Sequence, residues 1–544
     1  MYHTRIKCMK FDPLFQNYPS NRYCVTARNG MVCTGSNLAS AAGLEILKKG
    51  GNAVDAAVAT AAALTVVEPT ANGIGGDAFA IVWIKDKMYG LNSSGYAPSL
   101  INANQVKAQG YDKMPVYGWT PVTVPGVPAA WAALNKRFGK LSLLECLQPA
   151  IQYALDGYPL SPMLAKMFAR ATDNFKKKVA DKPEFNEWFR VFTKEGEPYQ
   201  FGEIIKLPDH AKSLRLIGET DARAFYEGEI AQQLVKQSQS NHGYFTLDDL
   251  KKYEPKWVDP ISVNYRGYDV WEIPPNGQGI VALMALNILK NFNFTHKDDV
   301  NCYHKQFEAI KMAFADGMHY VTDPNHMAVD YHDLIRSDFG KLRANEITDY
   351  AQFPEFKQLP QSGTVYLNTA DADGNMVSYI QSNYMGFGSG IVVEGYGIAL
   401  QNRGADFSLD PSHYNYLMPG KRTYHTIIPG FITKDNCAVG PFGVMGGYMQ
   451  PQGHLQVVMN MIDFHMNPQM ALDSPRWQWN QDNTFTVEPG FDPAIVEALC
   501  AKGHNVQYSN NRTPFGRGQI IIKLANGVLI GGTESRTDSN IACY

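Results

Sequence analysis

The first clear pattern along the chain is helical. Residues 37–49, Asn37-Leu38 followed by ASAAGLEILKK, carry apolar side chains at helical spacing and stop at Gly50-Gly51, a pair suited to a helix C-terminus. Asn52 is placed to cap a second helix, AVDAAVATAAALTVVE, which Pro69 ends. This helix is Ala-rich and apolar on nearly every side, so it is expected to lie buried against something flat such as a sheet. A glycine turn follows, Gly73-Ile74-Gly75-Gly76, and then an apolar run from Ala78 to Ile84 that reads as a strand. Residues 130–230 are mostly helical by pattern, with polar insertions around Lys176–Lys182. From Gly363 onward the pattern changes to strands. Thr364–Ala370 and Met376–Ser382 flank Asp371-Ala372-Asp373-Gly374-Asn375, and an Asp-Gly pair between two alternating runs signals a hairpin.

The change from helix-rich to strand-rich occurs without a Gly/Ser or Pro tract, and there is no internal repeat. Length alone, 544 residues at about 150 per domain, suggests three or four domains. The missing linker argues instead for one intertwined α+β body. The longest apolar run, Ala56–Val67, is shorter than the about 20 residues a bilayer span needs. The stretch up to Tyr23 has no apolar core of a secretory signal. With 49 basic and 52 acidic residues the net charge is −3, which gives no reason to expect nucleic-acid or membrane partners. The eight cysteines are scattered and form no C-x-x-C pair, as in reduced, cytoplasmic proteins.

Several motifs can be set aside. Gly73, Gly75 and Ala78 match G-x-G-x-x-A, but a dinucleotide site needs strand, glycines, helix, and here the order is helix, glycines, strand. His304, His319 and His326 lack ligand spacing and read as solvated or core histidines, so no metal and no cofactor is expected.

Chemistry gathers around Thr364. A Thr after Gly at a strand start is ordinary by itself. Downstream, however, come Gly386-Phe387-Gly388-Ser389-Gly390, then Pro419-Gly420-Lys421-Arg422, then Met445-Gly446-Gly447. Glycines let backbone N–H groups approach a ligand, and two such groups can form an oxyanion hole. Together with GGNAVDAAVA at 50–59, the turn at 73–76, VPGVPAAW at 124–131 and MGGYMQPQGH at 445–454, these blocks resemble the gamma-glutamyltransferase family of N-terminal-nucleophile hydrolases over nearly the whole chain. The last block and NRG at 402–404 look more like the branch of gamma-glutamyltransferase-like, acylase-like and oxamate-amidohydrolase-like bacterial enzymes than the glutathione-cleaving branch.

The resemblance implies a four-layer α-β-β-α sandwich and a precursor that cuts itself between Gly363 and Thr364. The products would be a large fragment, 1–363, and a small one, 364–544, forming a heterodimer that is itself free to pair again. Thr364 would then supply a hydroxyl nucleophile and, through its freed α-amino group, the base that a hydroxyl needs. Ser382 matches the position whose hydroxyl orients the nucleophile, and Gly446 and Gly447 match the oxyanion hole. The implied substrate is a small amide.

Recognition positions depart from the glutathione-cleaving members. Where those hold the α-amino group with Asn, Gln and Asp, this chain has Tyr384, Arg403 and Asp406; the Ser pair that helps hold the carboxylate becomes His425-Thr426, and the Arg that completes it falls near Ser94. Arg403 could replace that cation or pair internally with Asp406, and His425 could donate to a carboxylate or pack. Only 14 residues separate Asp406 from Lys421, too few for an active-site lid, so hydrolysis is expected to outrun transpeptidation. The leading expectation is hydrolysis of gamma-glutamyl amides of the glutathione type. The alternatives are the same mechanism on another carboxylate-bearing amide (oxamate-like, or a glutaryl or cephalosporin-type acyl group) and an uncleaved binding protein on the same scaffold. The intact Thr364, Ser382, Gly446 and Gly447 argue against the last.

Overall fold

The Ala-rich segment organises one half of the molecule. The computed structural model describes residues 21–353, 363–481 and 483–544. The N-terminal stretch through residue 20, with Cys8, lies outside them. Asn52 caps the helix Ala53–Val67 in a reciprocal box with Asp55, and all fifteen residues of the helix are buried. It packs on the sheet as expected, but its other sides are covered by the helices Asn37–Lys48 and Leu143–Asp156, which explains why no polar face is needed.

Two seven-stranded sheets stack face to face. One runs in the order Asn540–Cys543, Gly30–Thr34, Gly363–Asp371, Met376–Tyr384, Asp77–Ile84, Lys87–Ser93, Lys256–Val258. The other runs Val25–Ala27, Leu529–Thr533, Arg517–Lys523, Cys437–Met445, Gly430–Lys434, Tyr268–Glu272, Ile261–Tyr265. Neighbouring strands within both sheets are antiparallel. Residues on both sides of Gly363–Thr364 contribute strands to each sheet. The expected hairpin is present, with Ala370 opposite Met376.

Side-chain alternation produces the four layers. On Asp77–Ile84, Ala78, Ala80 and Val82 join the helical core around Ala53–Val67, whereas Phe79, Ile81 and Trp83 join the core between the sheets. A strand buried on both faces is apolar throughout, which is why 78–84 reads as a continuous run. Polar groups on the hairpin Gly363–Tyr384 are matched layer by layer. Thr369 and Asp371 bond the carbonyl and N–H of Ala53, and Gln381 bonds Ala61. Asn368 reaches across to the carbonyls of Pro441 and Gln519 on the other sheet, at 3.2 and 3.0 Å. The helices Gly279–Leu289, Val300–Tyr320 and Met449–Ile462 cover that second sheet. The last of these shows that the region after Gly363 is not strands alone. Its buried face carries Gln450, Gln452 and Gln456, so hydrophobic periodicity does not reveal it.

A buried four-charge network ties the small sheet region together. Glu534 accepts from Arg476 at 2.9 Å, from Arg536 at 2.7 Å and from the Gly518 N–H at 2.8 Å, while Arg536 also pairs with Glu488. Burial alone would raise the Glu534 carboxyl, but the two guanidiniums outweigh it and hold it at about 2. Its stabilising effect is therefore complete above the ordinary value of 4.5 and is lost as pH falls toward about 2. Glu534→Gln leaves two buried cations under-paired and should cost about 3–5 kcal/mol at neutral pH. Urea denaturation should show that loss, with the gap to wild type narrowing below pH 4.5.

Candidate active site

Thr364 lies at the start of its strand, where a register shift between Gly363 and Val365 breaks the regular pairing with Met376–Tyr384. It is fully buried. Its Oγ1 lies 3.2 Å from Ser382 Oγ. Ser382 Oγ lies 2.8 Å from the Gly363 carbonyl oxygen and receives the Tyr384 N–H at 2.8 Å. The carbonyl can only accept and the amide can only donate, so Ser382 gives its proton to Gly363 and Thr364 gives its own to Ser382. Tyr384 holds φ = 73°, a left-handed conformation costing about 1–2 kcal/mol for a non-glycine residue. That turn folds the Tyr384 amide back onto Ser382.

Gly446 and Gly447 follow the strand Cys437–Met445 and precede the helix Met449–Ile462. They take φ = 140° and 61°, and a Cβ on Gly446 would come within 3.2 Å of Gly516 Cα. Gly446 is thus favoured as glycine by both its backbone angle and its close approach to Gly516, and Gly447 by its left-handed angle. Among the described residues neither N–H has a hydrogen-bond partner. Gln278, which sequence reasoning missed, fixes this turn. Its Nε2 donates to the Gly447 carbonyl at 2.8 Å and the Thr426 carbonyl at 2.6 Å. The only signal was its place in Asn276-Gly277-Gln278-Gly279, at the start of a fully buried helix whose one polar side chain is Asn287.

The structure brings Tyr384, Arg403, Asp406 and Thr426 together. Arg403 is 1% exposed, stacks over the Tyr384 ring at 4.0 Å and donates through Nη1 to Thr426 Oγ1 at 2.8 Å. The same Nη1 is 3.4 Å from Asp406 Oδ2, a long contact. Arg403 Nε and Nη2 are buried without a partner among the described residues. Asp406 is committed elsewhere: Oδ1 receives the hydroxyls of Tyr384 and Tyr448. Burial pushes its carboxyl up, against Arg403 and Tyr384, which hold it down. Tyr448, also missed, stacks on Tyr424, whose hydroxyl bonds Gln278.

His425 is turned away from this group. Its Nε2 faces Asp77 Oδ2 at 3.0 Å, and its Nδ1 receives the Ile427 N–H. Nε2 therefore carries the proton in a neutral ring. Burial pushes His425 well below its ordinary value, with Arg403 adding to the effect. Burial raises Asp77 to about 7 against the pull of Arg403. Asp77 sits opposite Ser382 in register, so the packing alternative for His425 supports the strand that carries Ser382. Ser94 is held in a network with Asn92 and Asn276. The short segment after Asp406 folds back on itself, Leu417 bonding Ser408, and Lys421 Nζ holds the carbonyls of Tyr414 and Tyr416.

One grouping has the residue types of a metal site: atoms of His304, Glu308 and His504 lie within 4.8 Å of one another. The Lys311 ammonium, 2.6 Å from Glu308, already supplies the positive charge there, and His304 bonds His504 at 2.8 Å. The sequence reading of His304 as a core histidine agrees with its burial. His304 bonds the Thr348 carbonyl, and Lys311 and Glu308 bond the Gln352 backbone, so the group grips the segment 348–352.

Comparison with known proteins sets this geometry in a family. The profile of the gamma-glutamyltranspeptidase family matches residues 39–544. A glutathione hydrolase-like proenzyme (YwrD) of Bacillus subtilis is 38% identical over 93% of this chain and 97% of its own. An oxamate amidohydrolase proenzyme of Klebsiella pneumoniae is 32% identical over 95% and 98%. The crystal structure of a cephalosporin acylase from Bacillus halodurans is 56% identical, covers 98% of this chain and 99% of its own, and superposes with a TM-score of 0.96. The chain belongs to the gamma-glutamyltranspeptidase family, with the α-β-β-α sandwich of N-terminal-nucleophile hydrolases.

Proposed function

We infer that the protein is a self-processing amide hydrolase that cleaves itself before Thr364 and then uses Thr364 as its nucleophile. The observation that carries this reading is the chain of hydroxyls from Thr364 through Ser382 to the Gly363 carbonyl oxygen. As Thr364 Oγ1 attacks the Gly363 carbonyl carbon, its proton passes to Ser382, and the Ser382 proton passes to the carbonyl oxygen. The tetrahedral adduct forms without separated charge. Collapse breaks the C–N bond, leaves an ester on Oγ1 and returns a proton to the Thr364 nitrogen. Water opens the ester, giving fragments 1–363 and 364–544. The freed α-amino group, ordinarily near pKa ~7.7–8.0, is suited to act as the base in later turnovers. The unpartnered N–H groups of Gly446 and Gly447 are suited to an oxyanion. The proenzyme names of the Bacillus and Klebsiella relatives support self-cleavage.

The acyl group on this reading carries a carboxylate and no α-ammonium. The Nε–Nη2 edge of Arg403 is the edge that grips a carboxylate with two parallel bonds, and it is buried and unpaired. Asp406, which would have to receive an ammonium, is occupied by two tyrosine hydroxyls. Glutaryl-type and oxamate-type amides fit this chemistry, in line with the acylase and oxamate amidohydrolase among the relatives. Gamma-glutamyl amides are the second reading; the retained Asp406 and the glutathione hydrolase-like relative favour it. The short segment between Asp406 and Lys421 supports hydrolysis over transfer.

The two substrate readings separate in one assay. The kcat/KM for glutaryl p-nitroanilide should exceed that for the gamma-glutamyl compound by about tenfold or more, because an α-ammonium would be buried beside Arg403. Equal or reversed values would favour the second reading. Arg403→Gln should lower kcat/KM for the glutaryl compound by about a hundredfold while self-cleavage proceeds, since the lost contact is to the bound carboxylate. Ser382→Ala should slow self-cleavage by about 10²–10³, followed as loss of full-length chain with time.

A further inference from the structure

The glycine turn at 446–447 runs directly into Tyr448, the first residue after Met445 with a side chain that can anchor it. Tyr448 caps the start of the helix Met449–Ile462, and it is buried. Its hydroxyl lies 3.3 Å from Asp406 Oδ1, the oxygen that also takes the Tyr384 hydroxyl. Burial pushes the Tyr448 hydroxyl well above its ordinary value, and Asp406 adds to the shift, so at neutral pH it keeps the proton it donates. The ring stacks on Tyr424 with centroids 5.9 Å apart. Tyr424 donates to Gln278 Oε1 at 3.1 Å, and Gln278 Nε2 gives its two protons to the Gly447 and Thr426 carbonyls. Thr426 Oγ1 receives Arg403 Nη1, whose other contact is Asp406. The path thus closes on itself, from Gly447 through Gln278, Thr426, Arg403 and Asp406 to Tyr448.

Two adjacent glycines have a backbone freer than any other pair, and their N–H groups serve an oxyanion only when the peptide planes are held. The N–H of Gly447 shares its plane with the Gly446 carbonyl, and a trans peptide points the two in opposite directions. That carbonyl accepts the Met449 N–H at 3.1 Å. The next carbonyl, of Gly447, accepts the Gln450 N–H at 3.1 Å as well as Gln278. Both planes therefore hang on where the first turn of the helix begins. Tyr448 sits between them, and its hydroxyl bond to Asp406 is the side-chain contact that fixes that point relative to Arg403 and Tyr384.

We propose that Tyr448 is a positioning residue for turnover: its hydroxyl, anchored on Asp406, aims the Gly447 N–H at the oxyanion, so that Asp406 serves the reacting carbonyl instead of a substrate ammonium. This rests on the reading of Thr364 as nucleophile and of the two glycine N–H groups as oxyanion donors. Tyr448 touches neither substrate nor Thr364. It acts through the backbone that follows it, and Asp406 acts through Tyr448. The side chains around the acyl carboxylate and the donors at the acyl carbonyl are thereby held at one fixed separation, that of a single acyl chain.

Tyr448→Phe removes the hydroxyl and keeps the ring on Tyr424, so it tests the link alone. Losing an oxyanion donor outright costs about 10²–10³ in kcat, and a donor kept but poorly aimed should cost about tenfold. Mature wild type and Tyr448→Phe are compared on glutaryl p-nitroanilide. The kcat should fall by about tenfold while KM stays within about twofold, because the interaction lost belongs to the transition state. Self-cleavage is the control, since there the Gly363 carbonyl takes its proton from Ser382 and not from the turn. Full-length Tyr448→Phe should therefore divide at the wild-type rate. An unchanged kcat overturns the proposal. So does a raised KM at unchanged kcat, which is a binding role, and so does a joint fall of kcat and self-cleavage, which is a merely structural one. If Tyr448→Phe does not accumulate as folded enzyme, Asp406→Asn decides: the weaker acceptor should lower kcat by about threefold without raising KM, and no change in kcat overturns the proposal equally. A wild type that turns over only the gamma-glutamyl compound has Asp406 on an ammonium and overturns the proposal while Thr364 stands. A wild type that releases p-nitroaniline from neither compound fails at Thr364 itself, before any variant is compared, and overturns both readings.

Discussion

Everything at this site depends on the Ser382 hydroxyl. A hydroxyl has one proton and two lone pairs, and here each has one partner: the Gly363 carbonyl, the Tyr384 amide and the Thr364 hydroxyl. With all three filled, the direction of every proton is determined. Thr364 must donate, which leaves its lone pairs free toward the carbonyl carbon behind it. Ser382 holds that carbonyl polarised. The strained Tyr384 backbone is explained by the same requirement, because only a chain that turns sharply after the strand can bring its amide back to Ser382.

The two-sheet architecture explains why this triad can be buried. Both faces of the hairpin Gly363–Tyr384 are covered, so each polar side chain on it needs a partner in the layer it faces. Thr369, Asp371 and Gln381 find theirs on the helix Ala53–Val67, and Asn368 finds its partners on the opposite sheet. The glycine turn at 446–447 is held from both sides, by Gln278 on its carbonyl and by Gly516 behind it. Gly516 is in turn fixed by Arg476, a member of the buried charge network. The charges of the fold and the geometry of the site are thereby one connected structure, with the Nε–Nη2 edge of Arg403 left without a partner among the described residues.

Much of this was legible in the chain because it rests on local rules. Asn52 capped its helix, Gly374 turned the hairpin, and the blocks around Thr364, Ser382, Gly446 and Gly447 carried the family resemblance. What could not be read depended on contacts distant in sequence. Gln278 is about 170 residues from the Gly447 carbonyl it holds. Tyr448 looks like part of a glycine-rich motif, yet its hydroxyl shares Asp406. Arg403 was open between binding a ligand and pairing with Asp406; the structure shows only a long contact to Asp406 from Nη1 and leaves the Nε–Nη2 edge unpaired among the described residues. His425 was open in the same way, and Asp77, 348 residues away, decides it. The helix Met449–Ile462 was missed because glutamines serve as its buried anchors, bonding backbone where apolar side chains would have shown a period.

The central claim is that the Gly363–Thr364 bond is one the protein breaks by itself. Intact mass measurement of freshly purified wild type and Thr364→Ala, each incubated alone and checked for folding, tests it most directly. Wild type should divide its 60.5 kDa into fragments of roughly 40 and 20 kDa, the smaller beginning at Thr364, while the variant stays whole. A folded wild type that remains at full length, or a Thr364→Ala chain that divides at the same place, would contradict it.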